Sequence, residues 1–375
     1  MKAILVLTDG TVYEGESIGQ PGRALGEVVF STGMVGYQQA FTDPSFRGQI
    51  LNLTYPLIGN YGTNDEDYES SICQIAGLVV KELCAVPSNF RHQETLSDFL
   101  VRHNVVGIAG VDTRALTRKL RSVGVMMGAI STDETLAGAL QRIKDNPYYG
   151  DIDFVRMVST PKPYEFRPAE APEEDEGRLK IAVVDYGIRV SILRCLYAAG
   201  CRPVVLPCTV TADDILAEKP DGILFSPGPG DPRVLDYATA AVKGVVGQAP
   251  VFGICLGNQL LGHALGGTLY KLKFGHRGGN HPVRDEITGR VRITSQNHGY
   301  ALDAESMAGT HAQVSQVNLN DSTVEGLECP DLLAYSIQYH AEASPGPRDS
   351  RGIFKQFVQR IREPKRWREI QAEVC

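Results

Sequence analysis

Apolar and polar positions alternate most regularly in the second half of the chain. "KIAVVDYG" is a short run of the fully buried kind, and "IRVSILRCLYAAG" has helical periodicity and ends at a glycine. "RPVVLP" predicts a strand, "TADDILAEKP" a capped helix, and "DGILFSPGPGDP" a strand running into a glycine-rich loop. "APVFGI" is again strand-like, and "LGNQLLGHALGG" is helical. Strands and helices joined by short links imply right-handed crossovers and a parallel sheet covered on both faces. Ligands in such sheets bind at the carboxyl ends of the strands. Cys255 falls at one of those ends.

The first half is less regular. "AILVLTDGTVYEGES" and "GEVVFST" are β-like runs punctuated by glycine, and helical patterns follow at about 93–104 and 112–123. This predicts an α/β domain. Between the halves, Pro147, Pro161, Pro163, Pro168 and Pro172 precede an acidic run. Prolines stiffen such a stretch and like charges extend it, so it reads as a connector. The expected organisation is an N-terminal domain over 1–145, a linker over 146–178 and a second domain over 179–375.

Composition narrows the class. With 43% hydrophobic and 22% charged residues in 375, the chain is globular and long enough for about two domains. A net charge of −7 argues against nucleic acid as the main ligand, which would need a concentrated basic face. The one dense basic run, around Arg360, Arg362, Lys365, Arg366 and Arg368, reads as a solvated helix end. No window reaches the length of a membrane span, and "MKAILVLTDG" is too short for a signal peptide. None of the eight cysteines forms a C-x-x-C pair, so a zinc ribbon or thioredoxin-like motif is not expected, and a reducing cytoplasm is.

Three stretches carry candidate chemistry. In "PVFGICLGNQLLG", residues 250–262, the cysteine stands between two glycines where a strand pattern gives way to a helical one. A nucleophile on such a corner is exposed above the sheet, and the helix N-terminus favours a thiolate. The same residues also suit a packed cysteine beside helix-spacing glycines. "LLAYSIQYHAEASPG" predicts a strand ending in His340, with Glu342 two residues on, a spacing that lets a carboxylate orient an imidazole beside a thiol. "SPGPGDP" places Gly228 and Gly230 at a third strand end, where main-chain N–H groups can meet an oxyanion, although an ordinary turn has the same composition. His276 and His281 fall in a glycine-rich loop without a third ligand, so no metal is expected there, and His298 falls in a loop suited to lining a pocket.

"GICLGNQ", "SPGPGDP" and "YHAEASPG" together resemble the three signatures of class I glutamine amidotransferases. "GEVVFSTGMVGYQQAFTDPSFRGQILNLTYPLIGNYGTN" and "DTRALTRKLRSVGVMMGAI" resemble the N-terminal domain of the carbamoyl-phosphate synthetase small-subunit family. The resemblance runs to about residue 362. It implies an α/β fold with a mostly parallel central sheet in the glutaminase domain, and a Cys255–His340–Glu342 triad hydrolysing glutamine through a thioester. Position by position, it implies a glutamine site lined by Ser45, Gly228, Gly230, Leu256, Gln259, Asn297, Gly299 and Tyr300. Ser45 has no such signal of its own, since "TDPS" reads simply as a turn.

The resemblance further implies a large partner subunit that uses ATP and magnesium to turn the ammonia and bicarbonate into carbamoyl phosphate for arginine and pyrimidine synthesis. No cofactor is expected in this chain, which shows no glycine-rich phosphate loop followed by lysine. Asn258, Pro227, Ala341 and Tyr300 depart from the usual motif residues without removing a reacting group. The rival readings are a glutaminase for another synthetase, such as those for guanylate or anthranilate, a cysteine hydrolase on a related fold, and a non-catalytic regulatory subunit. The N-terminal block separates the first from this family. Retention of Cys255, His340 and Glu342 weighs against the last.

Overall fold

The computed structural model describes residues 1–171 and 177–369, the main chain alone at 366, 368 and 369. The acidic end of the connector, residues 172–176, and Cys375 lie outside the described residues. Contacts divide the chain into two units, Met1–Phe154 with Lys273–Gly278, and Val155–Leu272 with Gly279–Cys375.

In the first unit seven strands close into a barrel. They are β1 (Lys2–Leu7), β2 (Val12–Gly19), β3 (Arg23–Ser31), β4 (Gln49–Leu53), β5 (Gly77–Val79), β6 (Val106–Ala109) and β7 (Met126–Ser131). Their order is β1-β2-β6-β5-β4-β3-β7, and β7 returns antiparallel to β1, pairing Leu5 with Ile130. Neighbours from β3 to β6 run parallel and the rest antiparallel. Closure leaves no open edge. Helix Thr113–Val123 starts at Asp112, whose carboxylate accepts from the Ala115 N–H at 2.9 Å. Its Leu116 and Leu120, four residues apart, pack with Leu5, Leu7, Val28 and Ile50. The α/β character expected of this half is present. The barrel closure is an addition.

The second unit is built on a ten-stranded sheet. Its labelled strands are β8 (Leu179–Asp185), β9 (Cys201–Pro207), β10 (Gly222–Phe225), β11 (Val251–Ile254), β12 (Leu269–Asp285), β13 (Val291–Leu302), β14 (Gln313–Asn318), β15 (Val324–Cys329) and β16 (Ala334–Ile337). The two-residue strand Tyr164–Glu165 pairs at the edge with β9. From there the order is β9-β8-β10-β11-β16-β15-β14-β12-β13. The first five of these are parallel, and the sheet then turns antiparallel from β16 to β14. Strands β10, β11 and β16 are buried along their whole length, as their apolar runs require of a sheet covered on both faces. One face packs on helices Asp236–Val245 and Leu256–Ala264 through Val242, Leu260 and Leu261. The other packs on Val190–Ala198 and Ile353–Arg362 through Ile192, Leu196 and Phe357. The two-domain α/β reading holds, with the parallel strands flanked by helices as expected.

Three local expectations are corrected, the first being the loop expected at His298, which lies within strand β13. His276 and His281 lie within the long strand β12, not in a loop, and Gly275 takes a left-handed φ of 73° inside it. Strand β16 stops at Ile337, three residues before His340. Its parallel neighbour β11 ends at Ile254, so beyond Ile337 the chain has no ladder partner on that side. The Gln338 N–H turns instead to the Glu325 carbonyl at 2.8 Å, and the His340 N–H to Ser295 at 2.8 Å.

Candidate active site

Cys255 occupies a one-residue corner between β11 and helix Leu256–Ala264. Its backbone sits at φ 54°, ψ −103°, an uncommon conformation for a residue with a side chain. Holding it there costs on the order of 1–3 kcal/mol, which the surroundings must offset. They do so by close packing. A Cβ at Gly253 would stand 2.5 Å from the Gly257 carbonyl oxygen, and one at Gly257 would stand 2.2 Å from that of Phe225. Only glycine lets these three backbones approach. The Cys255 N–H closes the ladder on Ile337 at 2.8 Å, and its carbonyl accepts the first helical bond from Gln259 at 3.1 Å. The first N–H groups of a helix have no intrahelical partner, so those at Leu256 and Gly257 are presented beside the sulfur. Sγ itself lies 3.7 Å from the carbonyl oxygen of Asn297 on β13.

His340 and Glu342 follow β16 on a buried loop. Nδ1 of His340 lies 2.9 Å from Oε1 of Glu342, and both side chains are sealed from solvent. Burial alone works against a charge on the ring. The Glu342 carboxylate, with Cys255 adding to it, overcomes that and pushes the His340 pKa up to about 10. Burial likewise disfavours the Glu342 carboxylate, but the charges of His340 and Arg189 hold it below the usual carboxylate range. Nε2 of His340 has no hydrogen-bond partner among the described residues. With Nδ1 taken by the carboxylate, that nitrogen is left for a proton transfer.

Arg189 carries no signature in the sequence. Its guanidinium is buried and stands 2.8 Å from Oε1 of Glu342 and 3.2 Å from Nδ1 of His340. The turn that delivers it is built on Asp185 at the end of β8. That carboxylate accepts from the N–H groups of Gly187 at 2.9 Å, Ile188 at 2.7 Å and Thr160 at 2.7 Å. The signal that could have found Arg189 is its place just beyond a parallel-strand end, where the apolar run "KIAVV" gives way to charged residues.

The remaining expected residues of the second unit gather around the same strand ends. A Cβ on Gly228 would meet the Tyr186 carbonyl at 2.3 Å and Leu256 at 2.7 Å, so its main chain lies directly against the helix start. Gly230 takes a left-handed φ of 90°, open to glycine without strain. Gln259 is buried and donates to the Tyr300 carbonyl at 2.8 Å, tying the helix to β13, which also carries Asn297 and Gly299. Asn258, one of the departures from the usual motif, is fully buried. It donates to Gln338 Oε1 at 2.9 Å and accepts from Ser336 at 2.8 Å, so here it locks the helix to the strand beneath it. Ser45 belongs to the first unit, on the single turn Pro44–Phe46, where its N–H donates to Asp43 at 2.9 Å and its hydroxyl is buried.

Comparison with known proteins bears on both units. The family model for the carbamoyl-phosphate synthase small chain, CPSase domain, matches residues 5–130, and that for glutamine amidotransferase class-I matches residues 182–360. The carbamoyl phosphate synthase small chain of Syntrophotalea carbinolica is 48% identical over 96% of this chain and 97% of its own length. The chain belongs to the carbamoyl phosphate synthase small chain family. The relative from Thermosynechococcus vestitus is 48% identical over 96% of both chains. The pyrimidine-specific small chain of Bacillus subtilis is 45% identical over 96% of both. The second unit is accordingly a class I glutamine amidotransferase domain, within the small chain of a glutamine-hydrolysing ligase. Among the described residues, no helix is long and apolar enough to cross a membrane.

Proposed function

We propose that this chain hydrolyses glutamine with Cys255, His340 and Glu342 and hands the ammonia to a large synthetase chain. The observation that supports it most is the 2.9 Å contact between His340 Nδ1 and Glu342, set beside a cysteine held on a strained strand-to-helix corner. Sγ of Cys255 attacks the side-chain carbonyl carbon of glutamine, and the C=O electron pair moves to oxygen. Main-chain N–H groups near Gly228 and Leu256 stabilise that oxyanion. His340 delivers its proton to the amide nitrogen, the C–N bond breaks, and ammonia leaves. Water then attacks the thioester while His340 takes its proton, glutamate departs, and the sulfur returns to its starting state. Glu342 orients the ring and holds its charge; Arg189 acts through Glu342.

Ser45, Gly230, Gln259, Asn297, Gly299 and Tyr300 are the residues proposed to contact glutamine. ATP, magnesium and bicarbonate belong, on this reading, to the large chain, which makes carbamoyl phosphate for arginine and pyrimidine synthesis in the cytoplasm. The test is glutamate release by the isolated chain, then carbamoyl phosphate formation after a large chain is added. The reading predicts glutamate and ammonia in equal amounts, with product formation from glutamine only when both chains are present. Hydrolysis of glutamine by a Cys255→Ala chain at the wild-type rate would overturn it.

A further inference from the structure

Helix Thr113–Val123 turns Leu116 and Leu120 into the barrel core and leaves Arg114, Arg118 and Arg121 on its exposed side. At spacings of four and three residues the guanidinium groups stack along one stripe. Like charges placed this way weaken a helix unless something answers them. Lys119, one position off the stripe, is answered, by Asp9 at 2.6 Å. Among the described residues, Arg114, Arg118, Arg121 and Lys81 meet no carboxylate within ion-pair distance. All four line one cleft of about 890 Å³ in the first unit, together with Thr117 and Asp112. The Asp112 carboxylate is engaged as the cap of the helix. The cleft is thus a local concentration of positive charge on a chain whose net charge is −7.

We infer that this cleft receives a carboxylate-rich segment of the large synthetase chain. The inference rests on the proposed function, which supplies the partner, and adds the surface and its chemistry. Charge complementarity selects an acidic occupant, and the size of the cleft selects a segment over an ion. A single small oxyanion would fill only a small part of it and meet exposed, salt-screened cations. A chain with several carboxylates can engage the whole stripe at once and fix the register of docking. On a small chain of net negative charge, such a basic cleft steers an acidic segment towards itself and orients the encounter.

The test uses the full-length small chain and the intact large chain, with their association measured by analytical ultracentrifugation from low to high salt. Wild-type assembly should weaken as salt rises. The triple variant Arg114→Glu, Arg118→Glu, Arg121→Glu should raise Kd about tenfold or more and flatten the salt dependence. Glutaminase activity of the isolated chain should stay unchanged. Lys81→Glu, which lies off the helix, should shift Kd in the same direction by less, independently of any effect on helix folding. Equal Kd and salt slope in wild-type and triple-variant chains would overturn the docking assignment alone. Saturable binding of inorganic phosphate that the triple variant loses, with assembly unaffected, would also overturn it. Absence of wild-type assembly at any salt would bring down the glutaminase-subunit reading, and this inference with it.

Discussion

Arg189 and Glu342 form a buried ion pair at 2.8 Å, and the same guanidinium reaches to 3.2 Å from the ring of His340. The carboxylate therefore serves two cations at once. Its negative charge raises the His340 pKa, and Arg189 is one reason it keeps that charge. Removing one partner of a buried pair leaves an uncompensated charge, which costs roughly 3–5 kcal/mol.

Arg189→Met should therefore let the Glu342 pKa rise, so the carboxylate is lost at a higher pH than in wild type. The acid limb of the glutaminase pH profile should move upward, and activity at neutral pH should fall about tenfold or more. Arg189→Lys keeps the charge with a different shape and should restore most of the activity. A profile that keeps its acid limb in Arg189→Met would show that the guanidinium only packs.

Cys255→Ser should lower glutaminase activity by a factor on the order of 10³ or more, while ammonia-dependent synthesis by the assembled enzyme continues. Three other buried thiols are poor competitors. Burial pushes those of Cys73 and Cys201 up to about 12, and that of Cys329 higher still. Cys329→Ser should leave glutamine hydrolysis near the wild-type rate. A large loss in that variant, with stability intact, would contradict the assignment to Cys255.

The parts of this site legible in the sequence are those set by local backbone demands. A corner that needs Gly253 and Gly257 leaves a G-x-C-x-G trace, and buried parallel strands leave unbroken apolar runs such as "VFGI". Features set by distant partners left little. The barrel depends on pairing β1 with β7, more than a hundred residues on, and neither strand encodes its partner. His340 was expected at a strand end, but the strand stops where its neighbour turns at Cys255, which the local sequence does not record. Arg189 is a single charge in a turn, and only the fold brings it to Glu342.

Gly257→Ala tests the corner independently of the reacting groups. Its Cβ would stand 2.2 Å from the Phe225 carbonyl oxygen, a main-chain atom that cannot rotate away. The variant should lose about 3 kcal/mol or more of stability and most of its glutaminase activity. Gly352→Ala, where nothing lies within 4 Å of the added carbon, should leave the Tm within experimental error. Similar melting behaviour of the two variants would mean that the corner tolerates a side chain.

The charge arrangement at His340 also predicts how stability responds to pH. The ring titrates near 6.5 when unfolded and at about 10 in the folded chain, so folding favours its proton. A group whose pKa is raised by folding contributes fully below its unfolded value. It loses that contribution as pH climbs through the folded value. Between about pH 6.5 and 10, wild-type stability should therefore fall by a few kcal/mol more than that of His340→Asn, which has no proton to lose there. Glu342 gives the opposite sign. Its depressed pKa supplies stability above the ordinary carboxylate range, lost as pH drops through the folded value. Urea unfolding of the wild type, His340→Asn and Glu342→Gln across pH 4 to 10 reads both effects. Parallel curves for wild type and His340→Asn above pH 7 would mean that the ring is neutral in the folded chain, and that in the proposed mechanism the proton for the leaving amide comes from Cys255 during attack.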